Sequence, residues 1–357
     1  MKKRVVVGMS GGVDSSVAAL LLHDAGHDVH GVTMSIYSGK AADGPVPDSC
    51  YGPGEQGDID EAARICASLG IPHSVVDLRA DYKSLVLDYT RDEYLAGRTP
   101  NPCVLCNQRV KFGMLLQKLP SSLGIDFDFF ATGHYARVVR MEETGRCAIR
   151  VASDHSKDQS YFLCMLDQTQ LSRVAFPLGE LSKPHVRRLA QAAGLANHNR
   201  PESQDFAAGG YRAVVNAPEK DGDITDLDGR VIGAHKGIWG YTVGQRRGLG
   251  VGGGEPLYVT RLDAATNTVV AGPDSSLYNR ELVAARMNWA AIAEPAAPLH
   301  LDVKIRYRGP AARAEVTALP GGRARVLFDE PQRAIARGQW AVFYDGDILV
   351  AGGVIAE

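Results

Sequence analysis

No run of the 357-residue sequence is both apolar and long enough to span a membrane. The start, MKKRVVVGMSGG, lacks the apolar stretch and small-residue cleavage site of a signal peptide. A cytoplasmic protein with no membrane partner is expected. A net charge of −2 excludes a global basic field that would by itself announce a nucleic-acid partner. Six cysteines in a chain of this length are expected as reduced thiols, not as a disulfide framework. Whole-domain repeats and low-complexity tracts are absent too. What remains is an ordinary globular composition with room for two or three cores.

The first part alternates strand and helix. RVVV (4–7) reads as a buried strand, SSVAALLLHDAG (15–26) as an apolar-faced helix and DVHGVTMS (28–35) as a second strand. Asp58 with Glu61 three residues on has the spacing of a capping box for a helix that Gly70 ends. IPHSVVDL (71–78) and a segment within 126–139 that runs out at Thr132-Gly133 supply two further strands. The pattern predicts an α/β fold, a doubly wound parallel sheet, over residues 1–208. Glycine-rich, short-stranded texture then predicts a small β-rich central domain over 209–285, with GLGVGGGEP as a flexible loop. Alternating runs predict a C-terminal β-barrel over 286–357. Within it, residues 301–338 carry eight basic and four acidic side chains, a local basic face suited to phosphates or simply a solvated surface.

GMSGGVDSS (8–16) falls between the first strand and first helix, where such a sheet binds its ligand. Gly11 and Gly12 allow a sharp turn, with successive N–H groups forming an anion nest. Ser10, Ser15 and Ser16 add hydroxyls, and the helix N-terminus favours negative charge. Asp14, an acid in an anion site, makes sense if it reaches a bound Mg²⁺. The loop has neither the lysine of a Walker motif nor the G-x-G-x-x-G of a dinucleotide fold. SGGVDSS resembles the PP-loop of ATP pyrophosphatases, of the adenine nucleotide alpha hydrolase-like fold. These enzymes cleave ATP to AMP and pyrophosphate while adenylating a carbonyl oxygen.

NPCVLCNQRVKFG (101–113), ATGHYAR (131–137), KDQSYFL (157–163), ESQDF (202–206), GQRRGLG (244–250), KIRYR (304–308) and QRAIARGQWAVFYDGD (332–347) follow in order. Together they are similar to the bacterial tRNA-specific 2-thiouridylases, and the resemblance covers nearly the whole chain. It implies ATP binding by Gly8, Met9, Ser10, Gly11, Gly12, Val13, Asp14, Ser15, Met34 and Gly133. It implies that Asn101, Pro102 and Cys103 face the target base and that Cys106 is the thiolating cysteine. Lys157, Asp158, Gln159, Arg306, Tyr307 and Gln339 match tRNA-contacting segments, and the resemblance implies that the central domain over 209–285 contacts tRNA as well. His134 is a further tRNA candidate, or else a hydrogen-bonded histidine at a strand end. The activity implied is adenylation of the C2 oxygen of the wobble uridine, then attack by a low-pKa sulfur nucleophile. ATP and Mg²⁺ are the implied cofactors. The implied partners are tRNA (Glu, Gln and Lys acceptors) and a sulfur donor, either a cysteine desulfurase relay or free sulfide.

Two positions depart from the family pattern. Its second cysteine, two residues after SQD, is Ala207 here, and Cys103 stands where many relatives carry an aspartate. One reading makes Cys103, Cys106 and Cys50 ligands of a [4Fe-4S] cluster. Another keeps a persulfide on Cys106, with Cys103 as the resolving thiol in the same loop. Zinc would need a second cysteine or histidine pair that the sequence does not supply. Cys66 reads as core, and Cys147 and Cys164 as structural residues in strand-like runs. A different PP-loop adenylating enzyme and a non-catalytic tRNA-binding relative remain as alternatives.

Overall fold

A computed structural model describes residues 2–39, 49–201, 205–251 and 255–357. Ser203 and Gln204 of the SQD motif, and part of the expected GLGVGGGEP loop, lie outside the described residues. The chain gathers into two units. The first comprises Met1–Val86, Cys103–Gly210 and Asp347–Leu349; the second comprises Leu87–Pro102, Tyr211–Gly346 and Val350–Glu357.

In the first unit the strands are β1 (Arg4–Gly8), β2 (Asp28–Ser35), β3 (Ser49–Tyr51), β4 (His73–Asp77), β5 (Phe129–Ala131), β6 (Arg137–Arg140), β7 (Cys147–Arg150), β8 (Val174–Ala175) and β9 (Asp205–Ala207). Five of them form a parallel sheet in the order β4-β2-β1-β5-β8. Val5, Val6 and Val7 are all buried, as a central strand covered on both faces requires. The chain leaves β1 toward β2 on one side and returns as β5 on the other. The crevice at the carboxyl end of β1 is therefore the switch point at which open α/β sheets take ligands. Helix α1 (Val13–Asp24) presents Val17, Ala18 and Ala19 to the core. Beside the sheet, β3 and β9 pair in parallel, with Ser49 opposite Asp205 and Tyr51 opposite Ala207.

Two local expectations need correction. Helix α2 runs Glu55–Ser68 and starts at Gly54, so Asp58 and Glu61 lie inside it and form no capping box. Their carboxylates are engaged by Arg200 and Arg64, while Glu55 receives the backbone N–H groups of Ile36 and Tyr37. Cys164 follows the short 3₁₀ helix Ser160–Leu163 instead of lying in a strand. The cysteine pair is helical as well. Pro102–Leu105 is one helical turn that continues as a π-helix, Cys106–Met114, and then as Leu115–Leu123. Proline is tolerated at the start because that N–H would have no helical partner.

The second unit contains two sheets. β10 (Gly222–Thr225), β11 (Val231–His235), β12 (Tyr258–Asp263) and β13 (Thr268–Gly272) form a four-stranded sheet around Ile224, Val259, Val269 and Ala271. β14 (Tyr278–Trp289), β15 (Leu299–Lys304), β16 (Ala312–Leu319), β17 (Arg323–Arg333), β18 (Trp340–Asp345) and β19 (Ile348–Ile355) follow. They run β14-β17-β16-β15-β18-β19, and pairing of β14 with β19 closes an antiparallel barrel. Ala314, Val316, Ala324, Val326 and Phe328 point inward, so the alternating arginines point outward. Part of the expected basic face is neutralised on the barrel: Arg325 pairs with Glu281 and Arg333 with Asp274. No helix among the described residues is long and apolar enough to cross a membrane.

Candidate active site

The loop between β1 and α1 turns as its glycines allow, with Gly11 at φ +73°. The Ser15 hydroxyl lies 3.0 Å from the Gly12 carbonyl and 3.2 Å from the Ser10 hydroxyl. Gly133, just past β5, closes over the loop: a Cβ there would stand 2.7 Å from the Ser15 nitrogen. Met34 is at the carboxyl end of β2, half-buried. The candidate ATP residues therefore do converge at the switch point.

Asp14 does not stand as an isolated acid. Its carboxylate accepts from the Lys183 ammonium at 2.8 and 2.7 Å and from the Tyr135 hydroxyl at 3.0 Å. Lys183, 7% exposed, opens the helix Lys183–Ala192 and brings a cation to the loop that lacks one of its own. Asn197 donates to the Gly11 carbonyl and the Ser16 hydroxyl, while Arg200 donates to the Gly11 carbonyl and pairs with Asp58. Lys183, Asn197 and Arg200 escaped the sequence reading because they lie more than 160 residues from the loop they brace. The proline after Lys183, marking a helix start, was the nearest signal.

In the same unit, Cys106 is buried, Cys103 half-buried and Cys50 exposed. These three thiols lie within electrostatic reach of one another, of Lys111 and of the buried Tyr82. Burial pushes the Cys103 thiol up to about 12, with Cys50 and Cys106 adding to the effect and Lys111 opposing it. The Cys106 thiol is also raised, by burial against the pull of Lys111. The expected low-pKa thiolate is thus not the resting state. Burial works against the Lys111 ammonium, and it is the thiolate form of the surrounding cysteines that draws its pKa above the usual lysine value, so the ammonium and a thiolate favour each other.

The π-helix is pinned by Gln170, whose Nε2 donates to the carbonyls of Gln108 and Phe112, both at 2.8 Å. Asn107 donates to the Phe162 carbonyl at 3.0 Å. His134 is hydrogen-bonded to Thr132 at 2.7 Å and packs between Phe112 and Phe176. Burial and Lys111 hold its pKa down at about 3, so it is neutral at working pH. Among the described residues no three His, Cys, Asp or Glu side chains are gathered where a metal ion could sit.

Three family profiles match the chain in order: tRNA methyl transferase HUP domain over residues 3–207, tRNA methyl transferase PRC-barrel domain over 215–273, and aminomethyltransferase beta-barrel domain over 279–355. The chain is 45% identical over 362 residues to the tRNA-specific 2-thiouridylase MnmA of Nostoc punctiforme, covering 99% of both chains. To the tRNA-specific 2-thiouridylase MnmA of Treponema denticola it is 44% identical over 367 residues, 99% of this chain and 97% of that one. The chain belongs to the tRNA-specific 2-thiouridylase family. Curated proteins of that name also include one from Roseiflexus castenholzii, 44% identical over 376 residues and 99% of both chains.

Set against the 2-thiouridylase pattern, the alanine at 207 is buried on β9, and its neighbouring strand β3 carries Cys50. A thiol is thus present on the strand beside the missing one. Among the family's tRNA candidates, Asp158 accepts from the Ala152 N–H and the Ser160 hydroxyl, and Gln159 accepts from the Tyr135 N–H. Both side chains shape their own loop, and Lys157 beside them is half-buried. In the second unit Gln339 donates to the Thr99 carbonyl at 2.9 Å and Trp340 to the Asn101 carbonyl at 3.3 Å. That brings Gln339 to the segment holding Asn101 and Pro102. Arg306 donates to the Arg333 carbonyl, and Tyr307 beside it is half-buried.

Proposed function

We propose that the protein catalyses ATP-dependent 2-thiolation of the wobble uridine of tRNA. One juxtaposition carries the reading: a pyrophosphatase-type loop and a helix-borne thiol pair are built into the same unit of a chain nearly half identical to 2-thiouridylases. The profile descriptions speak of methyl transfer, whereas the near-full-length relatives are named for thiolation. ATP-cleaving machinery beside thiols suits sulfur transfer, and the reading follows the relatives.

ATP sits on the Gly8–Ser15 loop with Met34 and Gly133, its phosphates drawn by the nest, the α1 N-terminus and the Lys183 ammonium. Mg²⁺ would take the Asp14 carboxylate, freeing Lys183 for phosphate. The uridine, extruded from its stack, presents its C2 oxygen for adenylation. A persulfide on Cys106 attacks C2 with its terminal sulfur, and AMP departs. The Cys103 thiolate then attacks the Cys106 sulfur; the S–S bond of the adduct breaks, thiouridine leaves and a Cys103–Cys106 disulfide remains. Free sulfide would reload the site by attacking the Cys106 sulfur of that disulfide, which leaves a Cys106 persulfide and the Cys103 thiolate. A cysteine desulfurase relay, whose sulfur is already at the persulfide level, would instead pass it to Cys106 after a thiol reductant has opened the disulfide. The low thiolate content at Cys103 and Cys106 places a requirement on this step: the proton must leave when substrate arrives.

For a [4Fe-4S] cluster the donors are Cys50, Cys103 and Cys106. Their chemistry fits, but their placement among the described residues does not gather them round one point, so no step is routed through it. The tRNA set proposed is the Glu, Gln and Lys acceptors, contacted through His134, Lys157, Asp158, Gln159, Arg306, Tyr307 and Gln339. The compartment proposed is the cytoplasm.

Mass spectrometry of tRNA nucleosides after incubation with ATP, Mg²⁺ and a sulfide source tests the reading, with 2-thiouridine as the expected product. ATP cleavage without thiouridine would favour another adenylating PP-loop enzyme; loss of both would favour a non-catalytic relative. Iron and acid-labile sulfide in anaerobically purified protein, and their loss in Cys50→Ala, would bring the cluster back.

A further inference from the structure

The second unit holds a cationic and aromatic arrangement that neither the nucleotide loop nor the thiols use. Trp239 lies in the 3₁₀ turn Ile238–Gly240, half-buried. Its indole Nε1 is buried with no hydrogen-bond partner among the described residues, and its edge packs so closely on Gly237 that any side chain there would collide with it. The exposed Arg212 lays its guanidinium 5.7 Å from the indole centroid. Arg212 also lies within electrostatic reach of the Tyr241 hydroxyl, which reaches the Gly248 carbonyl at 3.5 Å. That contact ties the turn to the loop carrying Arg246 and Arg247.

Both of these arginines are exposed, and no acidic partner faces either among the described residues. They are not on a slack tail. Gln245 accepts from the Thr242 N–H at 3.1 Å and donates to the Arg247 carbonyl at 2.9 Å, fixing the turn that presents them. An intramolecular role for three arginines would call for carboxylates close by. Here one arginine is held over a ring and two are left in solvent.

A guanidinium within cation–π range of an aromatic ring offers an unpaired base a partner to stack on, and paired arginines on a braced turn suit phosphate oxygens. We infer that Arg212 and Trp239, with Arg246 and Arg247, form a second RNA contact that takes one unpaired nucleotide of the tRNA, base on the guanidinium and phosphates on the arginine pair. The inference rests on the tRNA reading above and adds a site to it.

Binding of full-length protein to tRNA across a salt series tests it. Trp239→Leu and Arg212→Gln should each weaken tRNA affinity roughly fivefold to a hundredfold, the usual range for a lost stacking partner. Arg246→Ala combined with Arg247→Ala should lower the slope of log affinity against log salt by about two, one for each phosphate contact. ATP affinity and the turnover rate at saturating tRNA should stay at wild-type values. Unchanged affinity and unchanged salt slope in folded variants would overturn the inference. A merely structural role would lower the melting temperature of Trp239→Leu and leave the slope of the exposed double variant untouched, which overturns it equally. Wild-type protein that binds tRNA but makes no thiouridine would sink the enzymatic reading while the salt series still decides this site; wild-type protein that binds no tRNA would overturn both.

Discussion

The nucleotide loop and the thiol helix belong to the same unit, yet they handle burial in opposite ways. At the loop, the buried ammonium of Lys183 meets the Asp14 carboxylate, and the Arg200 guanidinium meets Asp58. At the helix, the Lys111 ammonium has neutral thiols around it, and burial keeps Cys103 and Cys106 protonated. The nucleotide loop is charge-compensated before any ligand arrives; on the function proposed above, the thiol helix would change its charge only when a substrate or sulfur donor came. A site that must hold a fixed polyanion can be preorganised, whereas one that must gain and lose sulfur has to pass between charge states.

The largest effects should separate the two ends. Lys183→Met is expected to abolish ATP cleavage and with it thiouridine. Cys106→Ser should abolish thiouridine while leaving ATP affinity near wild type. Nucleoside mass spectrometry and equilibrium ATP binding on the same two variants would show it. If Cys106→Ser lost ATP binding as well, the two ends would have to be treated as one coupled site. Next in size is Asp14→Asn, which leaves the Lys183 charge facing a neutral amide. The cost should reach about 3 kcal/mol, below that of a fully dry pair because Asp14 keeps some solvent. Urea unfolding checks it, and Asp14→Asn combined with Lys183→Met should recover part of the loss.

Legibility in the sequence follows the same division. The loop was readable because strand, glycines, serines and helix start are contiguous, and a short segment can encode an anion nest alone. Its braces were not, since Lys183, Asn197 and Arg200 reach it only through the fold. Cys103 and Cys106 were readable as a pair but not as helical residues, because NPCVLCN offers proline and asparagine where a loop is the simpler inference. Nothing in a one-dimensional pattern marks Tyr82 or Lys111 as their neighbours. The Asp58–Glu61 spacing shows the converse: a correct local signature was overridden by a helix that starts at Gly54 and an arginine from far along the chain.

Among the described residues Cys66 supplies a buried thiol with no cation beside it, packed in the core cluster that also holds Met9 and Val13. Burial pushes its pKa up from 9.0 to about 11. Below pH 9 the thiol is protonated in folded and unfolded chains alike, and its contribution is complete. As pH rises the unfolded chain ionises first, so stability should fall through the window from 9 to about 11, by roughly 2 kcal/mol. Chemical denaturation at stepped alkaline pH would reveal the fall, and Cys66→Ala should remove that part of the slope. A slope unaffected by the substitution would assign it to the thiol helix instead.

The smallest expected effect is the most specific to the thiol end. In the π-helix the carbonyls of Gln108 and Phe112 accept from the Gln170 amide nitrogen, and the oxygen of that amide accepts from the Asp167 N–H. Gln170→Leu removes a donor that serves two carbonyls and leaves them to whatever water can reach them. The net loss should be about 1 kcal/mol, hardly visible in a melting curve. Local opening should be far more sensitive, because the loss falls on one helical segment rather than on the whole unit. Amide hydrogen exchange across Cys106–Met114 should quicken while that of α1 stays as in the wild type. Equal acceleration in both would mean that the two ends open together, and their contrasting charge states would then be set by one cooperative unit.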